Sequence, residues 1–504
     1  MLSRKLNMLV IQGGRVLRPH PFSIEPLDIV IEGDTIRDLR PPGTINAQNV
    51  QFIDATDKLL IPGLVNGHNH AQSTLAKGVF DRYTLELFLN AVPWATGRRT
   101  LEDKYLSAVL GAAEMVRKGC TASYDMFAEF PLPTPEGVAA VAKAYADVGM
   151  RATIAPMMAD RSFFEAIPGL LELVPQALRS AVEKARHAPY EASIATCRNI
   201  LRSWAYNHDQ IRPALGPTIP HHCSDAFLGA CRDLAQDYEI GMQMHVAESK
   251  MQAVVAGKLY GKSLVAHIDS LGMLNPKFCV AHGVWLDDED RKRLAAHGAS
   301  ISHNPGSNLK LGSGMADMRA MLNQGVNVAI GTDGAASSDN LNVFEAMRTA
   351  ANISRVQNRL PEEWISSAEV LRACTEGGAR ALGFEKIGKL QAGYKADIVF
   401  LDLASLNYTP LNDAVNQVVF CEDGTAVESV MIGGKMIVDH GRFTTIDLPS
   451  LRRQAEEAVA RLAAATAESR ELCNKLHPIV GRYCGGLAAH PYHVHQFCGH
   501  AHGL

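Results

Sequence analysis

Short apolar runs alternate along the chain with longer stretches of mixed polarity. The runs fall at 60–70 (LIPGLVNGHNH), 122–126, 151–157, 211–218, 241–248, 277–283, 299–305 and 326–333. The segments between them, such as LEDKYLSAVLGAAEMVRKG at 101–119 and DEDRKRLAAHG at 288–298, carry apolar residues at helical spacing. Eight strands alternating with helices predict an α/β chain folded as a (β/α)8 TIM-like barrel over 61–387, with its chemistry at the C-terminal strand ends.

The flanks have a different texture. Residues 8–60 and 388–445 contain β-rich runs (MLVIQGGRVL, LDIVIEGDTI, KADIVFLDL, ESVMIGGKMIV) punctuated by Gly, Pro and Asp. They predict one small β-sandwich built from both chain ends, 1–60 with 388–445. Residues 446–504 add a helix over 449–476 and a tail containing His490, His493, His495, His500 and His502, a tract defined by composition alone.

Charge and composition narrow the partners. The 49 Lys+Arg against 53 Asp+Glu leave a formal charge of −4 with no block of one sign. A small-molecule substrate is therefore expected, and neither nucleic acid nor a membrane surface. No apolar run approaches the ~20 residues of a membrane span, and the opening MLSRKLNMLVIQGG lacks the sustained apolar stretch of a secretory leader. Ten cysteines without a CxxC pair read as reduced core residues, which makes the cytoplasm the expected compartment.

The polar residues at the strand ends carry the chemistry. His68 and His70 stand at i and i+2, so on a strand they share one face and can offer two nitrogens to one ion. His245, Glu248, His282 and Asp333 end or follow later strands, and a closed barrel brings them to the same mouth. Three imidazoles and one carboxylate suit Zn²⁺, with Fe²⁺ as the alternative, and leave a position for water. Water on such an ion has its pKa lowered toward ~7 and is the expected nucleophile, as hydroxide. Glu248 is the expected proton carrier from that water to a substrate ring nitrogen and then to the leaving group. His282 and Asp333 polarise the water from the other side. SGMADM and GTDGAASSD are Gly/Ser-rich but lack the strand-GxGxxG-helix context of a dinucleotide site.

The set IPGLVNGHNH, KGCTASYDM, HVAES, VAHGVWL, HNPGSNLKLGSG and GTDGAASSDNLNVFEAMRTA resembles the amidohydrolase superfamily. Within it, the match is to the branch holding barrel-plus-sandwich adenosine and S-adenosylhomocysteine deaminases, guanine deaminases and triazine hydrolases. The resemblance runs in chain order over about 8–445. It implies His68, His70, His245 and Asp333 as metal ligands, with Glu248 and His282 as the acid/base pair. The strand IRPALGPT offers neither the lysine nor the glutamate of binuclear members, so a single divalent ion per subunit is implied. Relatives of this kind are commonly dimers or larger, which implies a homo-oligomer. In nucleoside-type members a carboxylate in the region after the first strand holds the ribose and a histidine follows the Gly-Pro of strand four. Here Ala95 and Thr218 occupy those positions, so the resemblance implies deamination of a purine, pterin or triazine heterocycle that is not a nucleoside. The alternative on the same site is hydrolysis of an amide, carbamate or chloro-triazine bond. Trp94, Thr218, His221, His222 and His303 are the expected pocket walls.

Overall fold

Eight parallel strands appear where the apolar runs predict them. They are β1 (Leu64–Asn69), β2 (Cys120–Ala128), β3 (Arg151–Met158), β4 (Ile211–Pro217), β5 (Gly241–Val246), β6 (Phe278–His282), β7 (Ser300–His303) and β8 (Asn327–Ile330). The computed structural model describes residues 8–19, 21–45, 50–357 and 359–495. Each strand pairs with its sequence neighbour in parallel. The ends of the series meet where Asp333, just beyond β8, donates its backbone N–H to the carbonyl of His68 at 3.0 Å. Parallel strands covered on both faces need apolar side chains on both, so they read as continuous runs rather than alternating ones.

Helices separate the strands. α1 (Leu85–Ala95) and α2 (Leu101–Arg117) follow β1, and α2 starts on a capping box in which Thr100 and Asp103 satisfy each other's backbone N–H. α3 (Lys250–Tyr260) follows β5 and is capped by Ser249, whose hydroxyl accepts from the Gln252 N–H. The Ser249 cap fixes the start of α3 directly beyond the end of β5, where the polar residues His245 and Glu248 stand.

The flanking segments form two sheets. A four-stranded sheet is ordered Thr35–Arg40, Asp28–Glu32, Met8–Gln12, Val50–Asp54. A seven-stranded sheet draws on both chain ends, with Lys58–Pro62 pairing antiparallel to Ile398–Asp402 and parallel to Arg15–Arg18. Ile11, Ile29 and Ile31 pack against Leu60, Ile398 and Phe400 to close a sandwich core. The run 60–70, read from the sequence as one barrel strand, divides at Gly63. Its first residues belong to the sandwich and the barrel strand begins at Leu64. A side chain at Gly63 would meet Thr121 Oγ1 at 2.1 Å, so the change of sheet requires glycine there. Arg151, at the start of β3, makes a two-pronged bond to Asp397 (2.7 and 2.9 Å) that ties barrel to sandwich.

The helix expected over 449–476 is two helices, α4 (Leu448–Ala465) and α5 (Ala467–Ala488), joined at Thr466. α5 lies on α1, where Asn90 Nδ2 donates to the Cys473 carbonyl at 3.0 Å. The tail then crosses back to the barrel: the Tyr492 ring meets Trp285 edge-on and His493 Nε2 lies 2.9 Å from Asp287. His500 and His502 lie outside the described residues. Among the described residues, no helix is long and apolar enough to cross a membrane.

Candidate metal centre and proton-transfer site

Strand period and strand order bring the six strand-end residues together. His68 and His70 share the inner face at the end of β1, and the registers of β5 and β6 set His245 beside Ala281 and Val246 beside His282. Asp333 Oδ1 lies 3.5 Å from His68 Nε2 and 3.3 Å from His70 Nε2, and His70 Nε2 lies 3.1 Å from His245 Nε2. Two overlapping groups, His68–His70–His245 and His68–His282–Asp333, each hold their ligand atoms within 4.8 Å of one another.

The partners of the other ring nitrogens decide which tautomer each imidazole takes. His70 Nδ1 faces the Met126 carbonyl at 2.7 Å and His245 Nδ1 faces that of Thr218 at 2.8 Å. A carbonyl only accepts, so both Nδ1 atoms carry the proton and both Nε2 atoms present bare lone pairs. His68 Nδ1 meets Gln243 Oε1 at 2.8 Å, and Gln243 is itself oriented because its Nε2 donates to the Gly67 carbonyl. Asp333 is fixed in the same way, with Ser307 Oγ donating to Oδ2 at 2.6 Å and the Gly334 N–H to Oδ1 at 2.6 Å. Two bare nitrogens at 3.1 Å beside a carboxylate repel unless a cation lies among them. The buried Nε2 atoms of His68 and His282 have no hydrogen-bond partner among the described residues either. The donor set therefore fits a divalent cation, with a second ring of partners of the kind that orients metal ligands.

Burial sets the protonation states. It drives His70 down to about 4 and His282 to about 3, and His245 well below its ordinary value, so these rings are neutral and able to ligate. Burial pushes the Asp333 carboxyl up, but His68 beside it and the other surrounding imidazoles outweigh burial and hold Asp333 well below the usual carboxylate range. Glu248 goes the opposite way: burial, with the Asp333 and Glu86 carboxylates nearby, lifts it well above its ordinary value. Glu248 Oε1 lies 3.6 Å from His282 Nε2, and His282 Nδ1 is held by Asn308 Oδ1 at 2.8 Å. Two carboxylates are thus set apart, one ionised among imidazoles and one able to carry a proton.

Three residues here have left-handed backbones without being glycine: Ala247 (φ 51°), His282 (φ 72°) and Asp333 (φ 62°). Each such residue costs about 1–3 kcal/mol, and the bend turns the chain at the strand end that bears it.

The five expected pocket walls are placed as follows. Thr218 contributes its carbonyl, which accepts from both the backbone N–H and Nδ1 of His245. His221 and His222 form a buried turn after β4 with rings 4.7 Å apart. Both His221 nitrogens and His222 Nε2 lack partners among the described residues. His303 ends β7 with both ring nitrogens likewise unpartnered, and burial lowers it to about 4. Trp94 lies under the Arg470 guanidinium at 5.0 Å and meets the Phe80 ring edge-on at 5.4 Å. Among the described residues, no hydrogen bond or ion pair joins Trp94, His221, His222 or His303 to the cluster. Sequence reasoning missed Gln243, Ser307 and Asn308. Gln243 was open to discovery, since it stands two before His245 and shares its face; Ser307 and Asn308 lie on a helical turn with no periodic signal.

Fold and site together define a barrel enzyme organised around a histidine–carboxylate metal centre. A model of the amidohydrolase family matches residues 59–437, and the chain belongs to that family, whose members hydrolyse carbon–nitrogen bonds. Relatives include a 5'-deoxyadenosine deaminase of Methanosarcina mazei, 33% identical over 460 residues that cover 90% of this chain and 98% of the relative. A 5-methylthioadenosine/S-adenosylhomocysteine deaminase of Carboxydothermus hydrogenoformans is 31% identical, with coverage of 90% and 98%. Among solved structures, an adenosine deaminase of Xanthomonas campestris with bound zinc aligns with a TM-score of 0.79 at 28% identity, covering 90% of this chain and 98% of its own. An atrazine chlorohydrolase of Arthrobacter aurescens complexed with zinc shares the fold, with a TM-score of 0.80 at 24% identity and coverage of 90% and 100%.

Proposed function

We propose that His68, His70, His245 and Asp333 hold one divalent ion, Zn²⁺ in preference to Fe²⁺, and that the protein deaminates an amino-substituted nitrogen heterocycle. The observation that carries this reading is the convergence of bare imidazole nitrogens and an ionised carboxylate beside a proton-carrying glutamate. A divalent ion bound there supplies a water acidic enough to react near neutral pH.

The protein's own groups then move the protons. His282, its Nδ1 proton committed to Asn308, presents a bare Nε2 that accepts a hydrogen bond from the water and orients it. Glu248 takes one proton from the water and passes it to the ring nitrogen beside the attacked carbon, then takes the second from the hydroxyl left on that carbon and delivers it to the departing amine. The carbon–oxygen bond forms, the exocyclic carbon–nitrogen bond breaks, and ammonia leaves with the proton count conserved.

The relatives are named for nucleoside substrates. In this chain Ala95 and Thr218 stand where the resemblance expects an acid and a histidine, and Thr218 serves the site through its carbonyl. These departures favour a heterocycle without ribose, of purine, pterin or triazine type. The test is ammonia release from zinc-loaded protein offered adenine, guanine, pterin, melamine, adenosine and 5'-deoxyadenosine. A higher kcat/KM for a ring without ribose is expected. Turnover confined to the two nucleosides refutes the substrate class, and products limited to halide or carboxylic acid refute deamination.

A further inference from the structure

Outside the centre several deeply buried carboxylates have no ion pair among the described residues, and of these Glu86 faces a cavity. Glu86 lies in the first turn of α1 and is 5% exposed. Its Oε1 accepts from Ser249 Oγ at 2.7 Å, and Ser249 directly follows Glu248. Glu86 and Ser249 line a cavity of about 480 Å³ whose other walls include Met251 of α3, Trp285 beyond β6, Cys484 of α5 and Tyr492 of the tail. Lys250 also reaches this cavity, but its ammonium sits over the Trp285 ring, 6.0 Å from the centroid.

Along the chain the cavity follows the reacting groups: its wall residue Ser249 comes directly after Glu248, and Trp285 three residues after His282. A carboxylate taken out of water without a cation is unfavourable, and a ligand that brings the cation removes that penalty. Ala95 leaves the end of α1 without an acid; Glu86 supplies one at its start.

We propose that Glu86 is a specificity-determining residue of the deamination site, binding a protonated amine carried on a short linker by the heterocyclic substrate. The proposal rests on the deaminase reading and names the substrate class more closely.

The competing role for Glu86 is mechanical, since Ser249 caps α3 and Glu86 holds Ser249. The experiment separates the two. Zinc-loaded full-length protein is offered propyl, 3-hydroxypropyl and 3-aminopropyl derivatives of adenine, pterin and melamine, with affinity read from the shift in thermal midpoint and turnover from ammonia. On at least one ring the aminopropyl derivative is expected to bind about 10- to 100-fold tighter than the propyl one, the factor of a charge-assisted hydrogen bond. Glu86→Gln should abolish that preference and Glu86→Asp should retain it. Equal affinities on all rings, a preference for hydroxyl, or an ammonium preference that survives Glu86→Gln overturns the proposal. So does a uniform fall in kcat with unchanged relative affinities in Glu86→Gln, which marks a positioning residue only. The wild-type comparison decides alone if the variants do not fold. Ammonia from these rings without a charge preference removes the subsite and leaves the deaminase; no ammonia from any ring removes the deaminase, while the thermal shifts still judge the subsite.

Discussion

Replacing Glu248 by glutamine isolates proton transfer from everything else the site does. Glu248 is 2% exposed and its carboxyl lies 3.6 Å from the neutral His282 Nε2, while its backbone N–H is held separately by Gln252 Oε1 at 2.9 Å. Glutamine has the same shape, and the amide removes a charge that burial and two neighbouring carboxylates already disfavour. Folding is therefore not expected to suffer. General acid–base groups contribute about 10²–10⁴-fold, so the variant should lose about 3–5 kcal/mol of transition-state stabilisation. The assay is steady-state ammonia release with zinc per chain measured on the same sample. The expected result is a fall in kcat with near-constant KM, an unchanged thermal midpoint and one zinc per chain in both proteins. A rate within about threefold of wild type refutes the role of Glu248. Loss of zinc in the variant would instead move Glu248 into the ligand set.

Four further outcomes follow from the same geometry. Chelation should abolish activity and lower the thermal midpoint, and zinc should restore both, because an ion at 100 times its Kd stabilises the folded chain by about 2.7 kcal/mol; a chelated protein with unchanged melting and turnover contradicts the ligand assignment. Gln243→Leu leaves every ligand in place but frees His68 Nδ1 of its acceptor, so zinc affinity measured by chelator competition should drop about 10- to 100-fold, and an unchanged affinity refutes the orienting role. Arg151→Ala strands the buried Asp397 carboxylate, which the Gly433 N–H alone cannot satisfy, and urea unfolding should show a loss of about 3–5 kcal/mol; a loss under about 1 kcal/mol would mean that barrel and sandwich do not depend on this pair. Burial raises Asp290 from 3.8 to about 6, so the folded chain keeps a proton that the unfolded chain has lost, and this contribution is present below 3.8 and lost as pH rises through about 6. Asp290→Asn should remove that decline, which is at most about 3 kcal/mol; a pH–stability curve parallel to wild type across that window excludes it.

How much of this was legible in one dimension depended on whether a feature repeats with the strand. The eight barrel strands were readable because both faces are buried, and His68, His70, His245, His282 and Asp333 were readable because they interrupt those apolar runs at equivalent ends. The division at Gly63 was not, because nothing local separates LIP from LVN; the approach of Thr121 from β2 forces it. The pair of C-terminal helices read as one for a similar reason, since Thr466 is an ordinary helix residue until its surroundings make it a junction. Within the site, the motif residues supply the candidate ligands, but which nitrogen each of His68, His70 and His245 leaves bare is set by Gln243, Met126 and Thr218, two of which act only through their carbonyls. A carbonyl has no side-chain identity, so no residue pattern can announce it. The same holds for the left-handed turns at His282 and Asp333, which occur without glycine. Substrate recognition lies furthest from sequence, because Glu86 becomes significant only when α1 docks against the end of β5 and α5 closes over both. Reaction chemistry in this chain is therefore fixed by elements that recur around the barrel, and selectivity by contacts between elements that do not.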